Sequence, residues 1–294
     1  LVLIIQNSEE EEGNDDDDDL SLIKNQINQI ISITVDRWNY DPSMFRKVEP
    51  FVGLRNLGAT CFANSVIQQI FHLYPIRFLL LMHNFDATDE YSNLQHLFQQ
   101  MMFTERSFCN PAIFFGNWHG WYNSLINTRE QQDSFEFFLL LIDDNEKKNT
   151  HFPKEISSWF TGEMTDRLNG VNDPFNTKRT ELLNILPLSI KGFKNIDESF
   201  NEFNQVETLY DYSCDNPKRK ITVHKSTRMS KPPIILVIQL KRFDYDYRNC
   251  TREKVNDKFE FPDELDISSI CESEQQRENE DVITYKDCLY DLHG

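Results

Sequence analysis

Apolar residues along this chain keep a helical period through its first half and cluster as strands through its second. After Cys61, the residues Val66, Ile67, Ile70, Phe71 and Leu73 fall on one side of a helix. Gly53 and Gly58 punctuate a loop before it, so the pattern delivers Cys61 to the first turn of an amphipathic helix. A polar break over Phe85–Ser92 precedes a second helical stripe of Leu94, Leu97, Phe98, Met101 and Met102. Thr128-x-x-Gln131 has the form of a capping box, predicting a helix with Phe135, Phe138, Leu139 and Ile142 on its apolar face. Asp133 and Glu136 then lie in its first turns, away from that face. From about Trp159 the pattern turns to strands. Ile234-Ile-Leu-Val-Ile238, rich in β-branched residues, predicts a buried one, and Phe259-Glu-Phe261 alternates up to Pro262. Asp266 to Asp281 is polar and charged and reads as a long exposed insertion.

The amino-terminal segment has a different character. Leu1 to Ile5 is apolar, lacks a preceding basic region and is too short for a signal or a membrane span. Glu9–Glu12 and Asp15–Asp19 place nine like charges in eleven positions, which repel one another in solvent. Residues 1–20 are therefore read as an acidic disordered tail. Ile23, Ile27, Ile30 and Ile31 make one helical face within a lead-in over 21–48, and turns at Asp41-Pro42 and Glu49-Pro50 follow.

A helix start suits a reactive cysteine, because open N–H groups and the positive end of the helix dipole favour thiolate over thiol. Asn56, five residues upstream, could offer an amide N–H to an oxyanion beside the backbone N–H of Cys61. Taken alone, the cysteine reads more readily as a buried structural residue at a helix start. The surrounding string decides otherwise. Gly53-Leu54-x-Asn56-x-Gly58-x-Thr60-Cys61-x-x-Asn64-Ser65-x-x-Gln68 closely resembles the cysteine box of the ubiquitin-specific proteases, a family of papain-like deubiquitinases. Gln131-Gln132-Asp133 through Glu136-Phe137 is similar to that family's Q-Q-D-x-x-E-F block. Pro232-Pro233 through Leu240-Lys241-Arg242-Phe243 is similar to its P-P-x-L-x-x-x-L-K-R-F block. Three blocks in order leave little room for chance. Trp38-x-Tyr40 and Lys241-Arg242-Phe243-Asp244-Tyr245-Asp246 are nearest in flavour to the very large family members.

The resemblance implies an α+β papain-like fold over residues 49–294, with a helical thumb at about 51–158 and β-rich fingers and palm at about 159–294. It implies Cys61 as nucleophile, Asn56 as oxyanion donor, and Asp133 and Gln132 as binders of the substrate tail, with Glu136 structural. Ubiquitin and ubiquitinated proteins are the implied partners. The family's base is a histidine in a G-H-Y block after a Y-x-L segment. Tyr290-Asp291-Leu292 looks like that segment, and the chain ends at Gly294. The expectation is a chain cut short, whose base and orienting Asp or Asn lie further on. A ubiquitin-binding module without catalysis, and an acidic adaptor that keeps only the fold, are the rival readings. Many family members carry a zinc ribbon of two C-x-x-C pairs in the fingers, whereas residues 162–220 hold only Cys214. Four converging ligands are needed, so no zinc and no cofactor is expected, and the fingers must be held by hydrophobic packing.

Composition agrees with this picture. With 294 residues, 39% hydrophobic and 13% aromatic, the chain can bury one large core or two lobes. Thirty Lys and Arg against 48 Asp and Glu give a net charge of −18, which disfavours nucleic acid and suits a basic partner such as the arginine-bearing tail of ubiquitin. No membrane span is predicted. Six scattered cysteines without regular spacing point to a reduced compartment, the cytoplasm, with the nucleus left open.

Overall fold

The computed structural model describes residues 2–6, 51–86, 89–120, 124–142, 153–215, 218–246, 251–273 and 288–293. The acidic run, the lead-in over 21–48 and most of the expected insertion lie outside the described residues. Two compact units emerge, Ser8–Lys154 on one side and Leu1–Asn7 with Glu155–Gly294 on the other. The strand β1 (Val2–Gln6) belongs to the second unit.

Helices build the first unit. A short parallel pair, β2 (Gly53–Leu54) with β3 (Phe108–Cys109), ties the entry loop to the segment behind the third helix. The first helix, α1 (Cys61–His72), buries the predicted Val66, Ile67, Ile70 and Phe71 together with Phe62 and Ala63, and the predicted Leu73 is its C-cap residue. Next come α2 (Tyr74–Met82), α3 (Glu90–Phe103), α4 (Ala112–Asn117) and α5 (Ser134–Ile142). Asp89 caps α3 by accepting from the Tyr91 N–H at 2.8 Å. The Tyr91 hydroxyl in turn donates to the Leu141 carbonyl at 2.9 Å and joins α3 to α5. Edge-on packing of Phe62 and Phe137, with ring centroids 5.7 Å apart, joins α1 to α5.

The buried side of α5 keeps Phe138 and Ile142 of the predicted face, but Phe137 and Leu141 are buried in place of the predicted Phe135 and Leu139. Its sequence, SFEFFLLLI, is apolar almost all round, so period alone cannot choose a face. Aromatic partners choose it, since Phe62 and Trp118 both meet Phe137.

Strands dominate the second unit. After α6 (Lys154–Trp159) come β4 (Gly162–Gly170), β5 (Asn176–Leu183) and β6 (Leu186–Ser189). They are followed by α7 (Ile196–Phe203), β7 (Glu207–Asp215), β8 (Lys218–Lys231), β9 (Ile235–Lys241) and a β10 (Phe243–Asp246)–β11 (Thr251–Lys254) hairpin. The strands β12 (Glu264–Asp266) and β13 (Leu289–Leu292) complete it. One sheet has the order β12-β13-β1-β9-β6 and the other β5-β4-β8-β7. As predicted, β9 is buried from Ile235 through Ile238, but Ile234, read as its first residue, precedes the strand and is exposed. The face of α7 carrying Ile196 and Phe200 packs into the same cluster as Leu236, Ile238 and Tyr290.

Two expectations fail here. Val2–Gln6, read as part of a disordered tail, is a strand paired with β9 on one side and β13 on the other. Its run of β-branched residues suits a sheet, and its partners lie more than 220 residues away in sequence, beyond the reach of local patterning. The start of the expected exposed insertion is also buried, with Ile267 and Ile270 inaccessible and Glu272 only 3% exposed.

The four-stranded sheet is not held by hydrophobic packing alone. On β4, Asp166 accepts from the Thr227 hydroxyl and pairs with Lys225 at 2.9 Å, both on β8. Arg167 reaches Glu272 through Nε and Nη2 at 3.1 and 3.0 Å. A buried carboxylate without its cation keeps its desolvation cost and loses the compensation. Arg167→Met is therefore expected to destabilise the chain by about 3–5 kcal/mol in chemical denaturation, and Arg167→Met with Glu272→Leu to recover most of it. A loss below about 0.5 kcal/mol in the single variant contradicts a structural role for this pair.

Candidate active site

The loop before α1 turns on one carboxamide. Asn56 Oδ1 accepts from the Gly58 N–H, the Thr60 N–H and the Thr60 hydroxyl, each at 3.1 Å. Two of these donors are backbone amides, which cannot accept, so the atom facing them must be oxygen. The amide orientation is thereby fixed by chemistry. Asn56 Nδ2 is left without a protein partner among the described residues.

Thr60 stands at the N-cap position of α1 and is fully buried, yet its side chain does not cap the helix. Instead its Oγ1 accepts from the Leu57 N–H at 3.1 Å while donating to Asn56. The first-turn amides of α1 therefore receive no side-chain cap, and the exposed Cys61 sits among them. Other box residues hold the helix to its lead-in. Gln68 Nε2 donates to the Val52 carbonyl at 2.7 Å, and Asn64 Nδ2 to the Arg55 carbonyl at 3.3 Å.

This loop is docked on the second motif. The Ala59 N–H donates to the Thr128 carbonyl at 2.7 Å, and Gly58 adopts φ +135° directly against it. A Cβ on Gly58 would lie 2.8 Å from that carbonyl oxygen, so both conformation and space demand glycine. Residues 53–68 and 128–133, apart in sequence, thus meet within one unit.

The predicted helix opening at Thr128 is displaced. Residues 128–130 form a turn, and α5 begins at Ser134, behind Asp133. Asp133 Oδ1 accepts from the Phe135 N–H at 2.7 Å, which makes it the capping residue. It is exposed, as is Glu136, while Gln132 is half-buried. Capping uses one carboxylate oxygen of Asp133, and Oδ2 remains for a ligand.

The histidines fall elsewhere. His72 lies in the last turn of α1, at the opposite end from Cys61, with its ring against Phe51 and Phe71. His119 is bound to Glu90 through Nδ1 at 2.6 Å and through its N–H at 2.9 Å. His293 has a buried Nε2 with no partner among the described residues, and burial lowers its pKa, so it is neutral near pH 7. Among the described residues no group of three or more His, Cys, Asp or Glu is placed to hold a metal ion. Sequence reading missed the Thr60 hydroxyl and the Thr128 carbonyl as organisers of the site. A threonine directly before the cysteine is the signal that marks the first.

Comparison with known proteins places these motifs in context. The family described as ubiquitin carboxyl-terminal hydrolase matches residues 52–294. Ubiquitin carboxyl-terminal hydrolase 15 of Saccharomyces cerevisiae is 30% identical over 277 residues, covering 87% of this chain and 21% of that protein. Ubiquitin carboxyl-terminal hydrolase 5 of Schizosaccharomyces pombe is 29% identical, covering 83% and 23%. Human ubiquitin carboxyl-terminal hydrolase 9Y is 29% identical, covering 78% and 11%. The chain thus spans less than a quarter of the length of these relatives.

If the Gly58 turn locks the cysteine loop to Thr128, Gly58→Ala should cost about 1–3 kcal/mol in denaturation, the scale of one forced positive-φ residue. Unchanged stability contradicts the docking of the two motifs.

Proposed function

The chain belongs to the ubiquitin-specific protease family of ubiquitin carboxyl-terminal hydrolases, and from that premise we propose that it is a cysteine-dependent deubiquitinase. Its substrate is a protein joined to the C-terminal glycine of ubiquitin. Support comes chiefly from the Asn56 carboxamide, whose oxygen is consumed by three donors while its N–H₂ stays available, five residues before an exposed cysteine on an uncapped helix start.

The Cys61 thiolate attacks the glycine carbonyl carbon, forming an S–C bond as the C=O π pair moves onto oxygen. Asn56 Nδ2 and the Cys61 N–H donate to that oxyanion. Collapse of the intermediate restores C=O and expels the amine, which leaves protonated, giving a thioester. Water then adds to the thioester and expels the thiolate, freeing the ubiquitin carboxylate. On the family pattern a histidine serves as general base, taking the thiol proton and returning it to the leaving amine. Asp133 Oδ2, with Gln132, holds the incoming tail, whose N–H groups and arginines suit a carboxylate. The proposed setting is the cytoplasm, with ubiquitinated proteins rather than nucleic acid or membrane as partners.

In protein that includes the proposed histidine base, ubiquitin bearing a C-terminal electrophile is expected to modify Cys61 and none of the other five cysteines, as read by peptide mass spectrometry. Labelling that persists in Cys61→Ala removes Cys61 from the role. Binding of ubiquitin without any adduct favours the non-catalytic module instead.

Asp133→Asn keeps a good capping side chain but removes the charge. Thermal stability should hold while ubiquitin affinity falls about tenfold, near one charge-assisted hydrogen bond, with Glu136→Gln close to neutral. Unchanged affinity reduces Asp133 to a helix cap.

A further inference from the structure

We propose that Thr60 is the positioning residue for the oxyanion donor: its buried hydroxyl fixes which way the Asn56 amide faces. The inference rests on the deubiquitinase reading above and assigns a specific task to a side chain within it. A threonine at an N-cap ordinarily accepts from the N–H of the second or third helical residue. Here the hydroxyl is turned away from the helix and bonded on both sides of the loop. It accepts from Leu57 and donates to Asn56, so a single oxygen spans the turn that carries the amide. Being fully buried, it has no solvent to replace those partners.

Two consequences follow from the same bond. Asn56 Oδ1 gains a third donor, which opposes rotation of the amide about its last torsion, and Nδ2 stays in the donor position. The first-turn amides of α1 also keep their N–H groups uncapped, because the side chain that would cap them is occupied elsewhere. A threonine that capped the helix would leave Asn56 to two backbone donors. The geometry observed is the other one.

The test uses ubiquitin C-terminal aldehyde, which adds the Cys61 thiol across its C=O: one S–C bond forms, nothing leaves, and the thiol proton ends on the hemithioacetal oxygen. That oxygen samples the oxyanion donors, so the affinity gained by aldehyde over plain ubiquitin reports on them apart from general binding. Wild type should show the gain, and Asn56→Ala should lose most of it. Thr60→Val is expected to lose three- to tenfold of the gain, a partial loss because two backbone donors still hold Asn56. Plain-ubiquitin affinity should stay within about twofold, and Thr60→Ser should keep the full gain. Should the valine variant not fold, Thr60→Ala takes its place. A gain undiminished in Thr60→Val or Thr60→Ala, or lost in folded Thr60→Ser, overturns the positioning role while leaving the parent reading intact. No gain in wild type, or a gain that survives Asn56→Ala, overturns the oxyanion reading itself and the Thr60 role with it.

Discussion

Three donors converging on the carboxamide oxygen of Asn56 set the geometry on which the rest of the site depends. A tight turn must satisfy its inward N–H groups, and here those of Gly58 and Thr60 have Asn56 as their acceptor. Meeting that demand with an asparagine rather than an aspartate has a chemical result. The oxygen is spent on the fold, and an uncharged donor is left over on the same side chain. The turn then brings its glycine against the Thr128 carbonyl and starts α1 at the cysteine. Backbone satisfaction and the proposed chemistry are thus one arrangement.

A different physical logic holds the strand-rich unit. Its five-stranded sheet packs α7 and the 267–271 segment into an apolar cluster, and burial supplies most of the stabilisation. The four-stranded sheet has residues partly exposed along both β4 and β8, so polar contacts carry more of the specificity, the cross-strand ones of Asp166 and the pair of Arg167 with Glu272 outside the sheet. Glu272 is the sensitive point, being a carboxylate almost without access to water.

Much of this was legible in the sequence, and what was not has identifiable causes. The α1 stripe, the buried β9 and the shift from helices to strands follow local periodicity, which a linear reading captures. The family followed from three motifs in order. Non-local pairing is what escaped, as when β1 inserts between β9 and β13 or Cys271 and Cys288 come within 3.6 Å of each other. The face of α5 escaped because a helix apolar nearly all round is oriented by its neighbours. Its true cap at Asp133 escaped because Thr128-x-x-Gln131 has the right letters, while its threonine carbonyl is already engaged by Ala59. In the site, Cys61 and Asn56 were named from the motif, whereas Thr60 needed atomic positions to show where its hydroxyl points.

The central claim is that the Asn56 amide, locked by its oxygen, offers Nδ2 to the oxyanion formed on attack by Cys61. The most direct measurement is a crystal structure of the chain joined through Cys61 to ubiquitin C-terminal aldehyde, refined well enough to place the hemithioacetal oxygen. The account predicts that oxygen within about 3 Å of both Asn56 Nδ2 and the Cys61 amide nitrogen, with Asn56 Oδ1 still bound to Gly58, Thr60 N and Thr60 Oγ1. An oxygen turned to solvent, or an Asn56 side chain rotated out of its three-donor nest, contradicts it.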